Sequence, residues 1–128
     1  VQLRHGGCVG ADIEALDTFM TKALQTPSLT TKVWCHPGNI THYVGMSESY
    51  PLGDVVLAAK PPLARNRDII DASNLVFGCP AGPEETRSGT WSTIRYAKKQ
   101  NKNPTVILPD GSYDEAGFAK QLEIFHRK

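Results

Sequence analysis

The sequence predicts an α/β fold in a single domain. Short strand-like runs alternate along the chain with longer helix-like runs, and this alternation is typical of a parallel sheet covered by helices. The chain has 128 residues, of which 40% are apolar, so it can bury one core and is short for two domains. We therefore expect residues 1–128 to form one domain with the order β-α-β-loop-α-β-α-β-α.

The first part of the chain supplies two strands and a helix. Val1-Gln2-Leu3-Arg4-His5 has the character of a strand already in progress, from which we expect the N-terminus to be trimmed. Apolar residues recur at helical spacing from 11 to about 25, and Pro27 ends this pattern, which predicts a helix with one buried face. A second strand is predicted over 31–36, where Pro37-Gly38 stops it.

The remaining elements follow a long polar stretch that extends from residue 39 to about 60. Within it, residues 55–59 fit either a short strand or a helical turn. Proline is tolerated in the first turn of a helix, so Pro61-Pro62 mark the start of the next one. The later predicted elements are a helix over 62–72, a strand over 74–79, a helix over 89–100, a strand over 104–108 and a helix over 114–126.

The charge balance bears on the partners. Fourteen basic residues against thirteen acidic ones give a net charge of +1, without the basic excess that is usual in duplex-binding domains, so nucleic acid is an unlikely partner. No apolar run approaches the roughly 20 residues that span a bilayer, and no signal-peptide pattern opens the chain. We expect a cytoplasmic protein that does not enter the membrane. The sequence leaves open whether it forms a homodimer.

The cysteines predict neither a disulfide framework nor a metal site. Cys8, Cys35 and Cys79 make an odd count and lie in or just after apolar runs, so buried thiols are expected. Together with His5 and His36 they give no Cys-x-x-Cys or His-x-x-x-His spacing. We expect no metal and no resident cofactor.

Two turns are candidates for binding an anion. Ser88-Gly89-Thr90 lies where a strand and loop lead into a helix, and the first N–H groups of a helix have no intrahelical partner and attract phosphate. The Gly-rich turn from Gly6 to Asp12 lies at an equivalent junction. Ordinary turn chemistry explains any one of these glycines, but two turns at the carboxyl edge of one sheet favour a nucleotide-sized ligand.

Neither turn matches a P-loop or a complete Gly-x-Gly-x-x-Gly fingerprint. Arg65 and Arg67 are candidate phosphate ligands, or else surface ion-pair partners of Asp68 or Asp71. A spacing of two puts them on different helix faces, and Arg65 is the one we expect to point inward. The predicted ligand-binding residues are Gly6, Gly7, Cys8, Gly10, Asp12, Arg65, Asn66, Gly82, Arg87, Ser88, Gly89 and Thr90.

Glu84 and Glu85 are the candidate catalytic residues. They lie in the loop that leads to the Ser88-Gly89-Thr90 turn, where a carboxylate could activate water or bind ribose hydroxyls. Solvated loop acids are the more common outcome for such residues.

At these positions the chain resembles the SLOG superfamily, a Rossmann-like group that includes DprA and the LOG-type phosphoribohydrolases. The resemblance rests on residues 3–12, on Ala64-Arg65-Asn66-Arg67, on the strand ending at Pro80 and on Ser88-Gly89-Thr90. It implies a doubly wound, mostly parallel sheet in three α/β/α layers, here without the family's first strand and helix. It also implies binding of a nucleotide or nucleotide-derived ligand, as in small stand-alone bacterial and phage members.

One departure from the family affects the expected chemistry. LOG hydrolases carry a catalytic glutamate three residues after the Gly-Thr pair of their motif, and Thr93 occupies that position here. Threonine cannot replace a carboxylate as a general base. The resemblance thus favours ligand binding, with two alternatives: N-glycosidic hydrolysis using Glu84 or Glu85, and DprA-like binding of single-stranded DNA.

Overall fold

A computed structural model describes residues 1–6, 11–38 and 53–126. The elements in these segments confirm the α/β class. They are β1 (Gln2–His5), α1 (Ala11–Gln25), β2 (Lys32–Cys35), β3 (Val55–Val56), α2 (Pro62–Ala72), β4 (Phe77–Gly78), α3 (Gly89–Lys99), β5 (Thr105–Val106) and α4 (Glu115–His126).

The chain divides into two compact units, Val1–Ile69 and Ile70–Lys128. In the first unit, β1, β2 and β3 form a parallel sheet in that order. In the second unit, β4 and β5 form a two-stranded parallel sheet. The small parallel sheets agree with the predicted α/β class, while the single doubly wound sheet and the single domain stay predictions.

The pleat of β1 and β2 separates an apolar side from a polar side. Val33 and Cys35 lie on the same face of β2, because alternate residues of a strand point to the same side. Both are buried. On the opposite face of β2, the Trp34 ring packs against the cationic groups of Arg4 and Lys32, each 4.5 Å from the ring centroid. Apolar burial thus covers one face of β2, and cation–π contacts lie on the other.

Helices α1 and α2 begin as their sequences predict. Asp12 and Glu14 lie in the first turn of α1, where negative charge complements the helix dipole. Helix α2 starts at Pro62, whose missing N–H is no loss at a first helical position. Leu16 of α1 and Ile70 of α2 are buried, so each helix buries at least one apolar side chain.

Helix α3 packs against β4 in the second unit. Its buried side chains are Ile94 and Ala97, and a Cβ added at Gly78 of β4 would lie 2.7 Å from Ile94 Cγ1. Contact this close requires glycine at position 78. The helix ends in a Schellman motif in which Lys102 N–H bonds the Ala97 carbonyl and Asn101 has a φ of 58°.

Side chains from the α3–β5 connection and from β4 complete the second unit. The Lys102 ammonium donates to the carbonyl oxygens of Ile70, Asp71 and Ser73 at 2.7, 3.1 and 2.8 Å, which caps the C-terminal end of α2. The rings of Phe77 and Phe118 lie 5.6 Å apart, so β4 and α4 share an aromatic contact.

The predicted helices match the observed ones to within a residue or two, but the strands are shorter. The predicted strands over 74–79 and 104–108 are two-residue strands, β4 and β5. The expectation for the cysteines is wrong at one position: Cys35 is buried but Cys79 is exposed. It lies just beyond β4, where the backbone has left the sheet. No helix among the described residues is both long and apolar enough to cross a membrane.

Candidate functional site

Gly6 follows the carboxyl end of β1 and is buried. Its backbone N–H donates to Asp12 Oδ2 at 3.1 Å, so the first turn of α1 holds the end of the strand. A Cβ at position 6 would lie 2.5 Å from Arg65 Nη1 and 3.0 Å from Asp12 Oδ2. Only glycine therefore leaves room for both side chains.

Arg65 connects α2 to the carboxyl ends of two strands. Its side chain is 6% exposed, and Nη1 donates to the carbonyl oxygens of Gly6 and His36 at 2.7 and 3.2 Å. Arg67 is exposed, in line with the expectation that only Arg65 points inward. The guanidinium suits this position because its fork of donors can bond several carbonyls at once.

A cavity of 340 Å³ opens beside Arg65, entirely within the first unit. Two of its walls are the residues that follow neighbouring parallel strands: His36 and Pro37 after β2, and Leu57 and Ala58 after β3. The carboxyl edge of a parallel sheet is the usual position of a ligand in α/β proteins. The volume lies at the lower end of the range for small-molecule sites.

The charged residues at this cavity are Lys60, Arg65 and Asp68. Lys60 Nζ lies 2.6 Å from Asp68 Oδ2, with the two side chains 53% and 40% exposed. An ion pair this exposed contributes at most about 1 kcal/mol. Solvent or an entering anion can therefore replace Asp68 at little cost.

His36 is a buried, neutral wall of the cavity. It is 5% exposed, and Arg4 Nη1 lies 3.1 Å from its Nε2. A guanidinium can only donate, so Nε2 accepts and the ring proton is on Nδ1. Burial lowers the pKa of His36, and the Arg4 charge lowers it further, against an opposing effect of Asp68.

In the predicted anion turn of the second unit, the Ser88 hydroxyl bonds the backbone of its own helix. Ser88 is the N-cap of α3, and its Oγ accepts the N–H of Trp91 at 3.2 Å. Trp91 Nε1 donates to the Gly82 carbonyl at 3.1 Å, which fixes the preceding loop. Thr93 Oγ1 donates to the Gly89 carbonyl at 2.9 Å. The hydroxyl at the position of the hydrolase glutamate thus serves the helix backbone.

The two candidate catalytic glutamates lie on the surface of the second unit. Glu84 is 55% exposed and its Oε2 accepts from Arg95 Nη1 at 3.0 Å. Arg95 also donates to the carbonyls of Glu85 and Thr86 at 3.3 Å. This is a surface ion pair that holds a loop, and it lacks the burial that tunes a general acid.

The structure therefore brings together only part of the predicted set. Gly6, Asp12 and Arg65 meet in the first unit, where Asn66 is half-buried on α2. Gly7, Cys8 and Gly10 lie outside the described residues. The predicted residues of the second unit are Gly82, Glu84, Glu85, Arg87, Ser88, Gly89 and Thr90, of which Glu84, Glu85, Arg87, Gly89 and Thr90 are exposed.

Sequence reasoning did not select three residues that line the cavity: His36, Lys60 and Asp68. His36 carries a usable signal, because it is the last residue of the strand predicted over 31–36 and so lies at the carboxyl edge of that strand. Lys60 carries no such signal, because the polar stretch before it has no clear hydrophobic periodicity.

Among the described residues, no group of three or more His, Cys, Asp or Glu side chains could hold a metal ion. The chain matches no family model, no curated protein and no solved structure. The cavity and its charges are therefore the basis on which a function can be argued.

Proposed function

We propose that the first unit binds a small phosphorylated ligand of the nucleotide-derived class. The observation that carries the proposal is the cavity at the carboxyl edge of β2 and β3, with two cationic side chains on its walls. A concave site with an apolar lining and a few polar groups is the usual form of a ligand pocket. Its position matches the general rule for α/β sheets.

The charged side chains of the cavity suit a ligand that has an anionic part and a hydroxyl-bearing part. Lys60 is the accessible cation, and a phosphate oxygen is a stronger partner for its ammonium than solvent. Arg65 is buried and holds the Gly6 and His36 carbonyls, so it acts on the ligand by its charge and by keeping the wall in place. Asp68, once released from Lys60, can accept hydrogen bonds from sugar hydroxyls.

Isothermal titration calorimetry tests this proposal with adenosine 5′-monophosphate, ADP-ribose, ribose 5-phosphate and inorganic phosphate. We expect saturable binding of at least one organic phosphate. Lys60→Gln should weaken it about fivefold, which is roughly 1 kcal/mol for one charged contact. Added salt should weaken it as well, because the contact is partly exposed.

The matched control is Lys22→Gln, which removes an exposed lysine in the last turn of α1 and leaves the cavity charges intact. It should bind as the unchanged chain does. The proposal fails when no organic phosphate binds, or when the two lysine variants lose the same affinity.

The alternatives gain no such support from the described residues. The hydrolase needs a carboxylate in a protected site, whereas Glu84 pairs with Arg95 at the surface. Anion binding at Ser88-Gly89-Thr90 and binding of single-stranded DNA stay predictions of the sequence.

A further inference from the structure

The second unit contains a cavity of its own, of 250 Å³. Five residues with carboxamide side chains line it: Asn74, Gln100, Asn101, Asn103 and Gln121. They come from the turn after α2, from the end of α3 and its following loop, and from α4. Three segments distant in sequence thus bring carboxamide-bearing residues to one concave surface.

The electrostatics of this cavity favour an uncharged ligand. Among the residues that the structure describes, no carboxylate lines it, and Lys102 is the one cation on its wall. The three N–H bonds of that ammonium are directed at the carbonyls of Ile70, Asp71 and Ser73, so its charge serves the end of α2. The described walls therefore offer no available charge that would bind a phosphate or a carboxylate.

The walls combine hydrogen-bonding groups with an apolar surface. Ile124 and Phe125 of α4 complete the lining, and Phe125 is half-buried. Each carboxamide offers an acceptor oxygen and two N–H donors. A ligand that fits must present several groups that both donate and accept at its edge, together with a flat apolar face.

The backbone of the loop also holds one carboxamide in an uncommon conformation. Asn101 has positive φ because it is the C′ residue of the Schellman motif. Asn103 has a φ of 42° although Pro104 follows it, and a residue before proline favours extended backbone. This conformation carries a cost of its own, and Asn103 lies on the cavity wall.

We propose that this cavity binds an uncharged saccharide ring. A pyranose carries several hydroxyls, each a donor and an acceptor, and presents a face of C–H groups to an aromatic ring such as Phe125. One edge of a nucleobase carries fewer polar groups than five carboxamides can bond. The cavity lies within residues 70–128, so this proposal stands or falls independently of the phosphate site.

Two-dimensional ¹⁵N–¹H NMR of the full chain tests the proposal, because side-chain carboxamides give their own resonances. The probes are the methyl glycosides of glucose, galactose, mannose and N-acetylglucosamine, with adenosine and uridine as the competing class. We expect saturable shifts of the carboxamide signals of the cavity with at least one glycoside. Gln121→Glu should weaken that binding about tenfold, since it replaces a donor by a charge.

The matched control is Gln25→Glu at the end of α1 in the first unit, which should leave the affinity unchanged. Asn74→Asp, in the turn after α2, gives a second variant, and the spectrum itself reports whether each variant is folded. The proposal is overturned when no glycoside shifts the carboxamide signals of the cavity at millimolar concentration, or when only the nucleosides shift them. It is also overturned when Gln121→Glu and Gln25→Glu bind the glycoside with equal affinity.

Discussion

Arg65 Nη1 donates a hydrogen bond of 2.7 Å to the carbonyl oxygen of Gly6, although 59 positions separate the two residues. The same nitrogen bonds the His36 carbonyl at 3.2 Å. One buried guanidinium therefore ties the ends of β1 and β2 to helix α2. The walls of the candidate phosphate site depend on this connection.

Replacing Arg65 by methionine should destabilise the protein by about 3 kcal/mol, because two carbonyl oxygens in a buried region lose a charged donor. Urea unfolding measures the change. Arg67→Met on the same helix is the matched control, and as an exposed substitution it should cost less than about 0.5 kcal/mol. Equal losses in the two variants would show that the connection has no energetic role.

Gly6→Ala should lower the free energy of unfolding by about 2 kcal/mol, since the added Cβ overlaps the buried guanidinium and forces it to shift. Gly82→Ala, where a Cβ meets nothing within 4 Å, should change it by less than about 0.5 kcal/mol. Thermal and urea denaturation of both variants give the comparison. A neutral Gly6→Ala would contradict the close approach of Arg65.

Gly78→Ala should destabilise the second unit by about 2 kcal/mol, because its Cβ would lie 2.7 and 2.8 Å from Ile94 Cγ1 and Cδ1. Ile94→Val removes Cδ1 and costs about 1 kcal/mol alone. The double variant should lose less stability than the sum of the two single losses, because neighbouring sites couple. A double-mutant cycle measures this, and strict additivity would count against the contact.

The lowered pKa of His36 predicts that stability falls in mild acid. Below about pH 6.5 the unfolded histidine takes up a proton that the folded one still excludes, so protonation lowers the free energy of the unfolded state and the free energy of unfolding falls. The loss should continue until the pH passes the lowered pKa of the folded state and then level off. Urea unfolding between about pH 7 and pH 5 measures the slope.

The comparison for this pH dependence is His36→Gln, which cannot titrate. Its unfolding free energy should vary less over the same range. An NMR titration of the His36 ring in the unchanged chain must give a pKa below the ordinary value. A raised pKa, or an identical slope in both proteins, would exclude His36 as the origin.

Ser88→Ala should cost about 1 kcal/mol, because the Trp91 N–H loses its cap acceptor. Ser88→Asp should retain most of the stability, since its carboxylate can cap the same helix end. Urea unfolding of the two variants distinguishes capping from a role confined to ligand binding, for which both substitutions would be neutral.

The helices could be predicted closely because their signals are local. Pro62 marks the start of α2, and the apolar spacing across α1 lies within one segment. Strand lengths were overestimated, since Phe77 and Gly78 count as a strand only where Thr105 and Val106 pair with them. Such pairing depends on segments that are distant in sequence.

The candidate site shows the same division. Helical geometry predicts that Arg65 and Arg67 lie on different faces of α2, and Arg65 is the one expected to point inward. Lys60 and Asp68 become neighbours through the path from β3 into α2, which no local pattern encodes. The carboxamide cavity was missed for this reason as well, since Asn74 and Gln121 meet only after folding.

The close approach of Arg65 to Gly6 makes the residue that is allowed at position 6 depend on the residue at position 65. A side chain at residue 6 fits this fold without displacing the guanidinium only when residue 65 is shorter than arginine, because both would occupy the same volume. Relatives of this chain that carry a side chain at position 6 should therefore carry a residue shorter than arginine at position 65. Library selection that randomises both codons would recover the glycine–arginine pair or compensated combinations, and would be depleted in large residues at both positions.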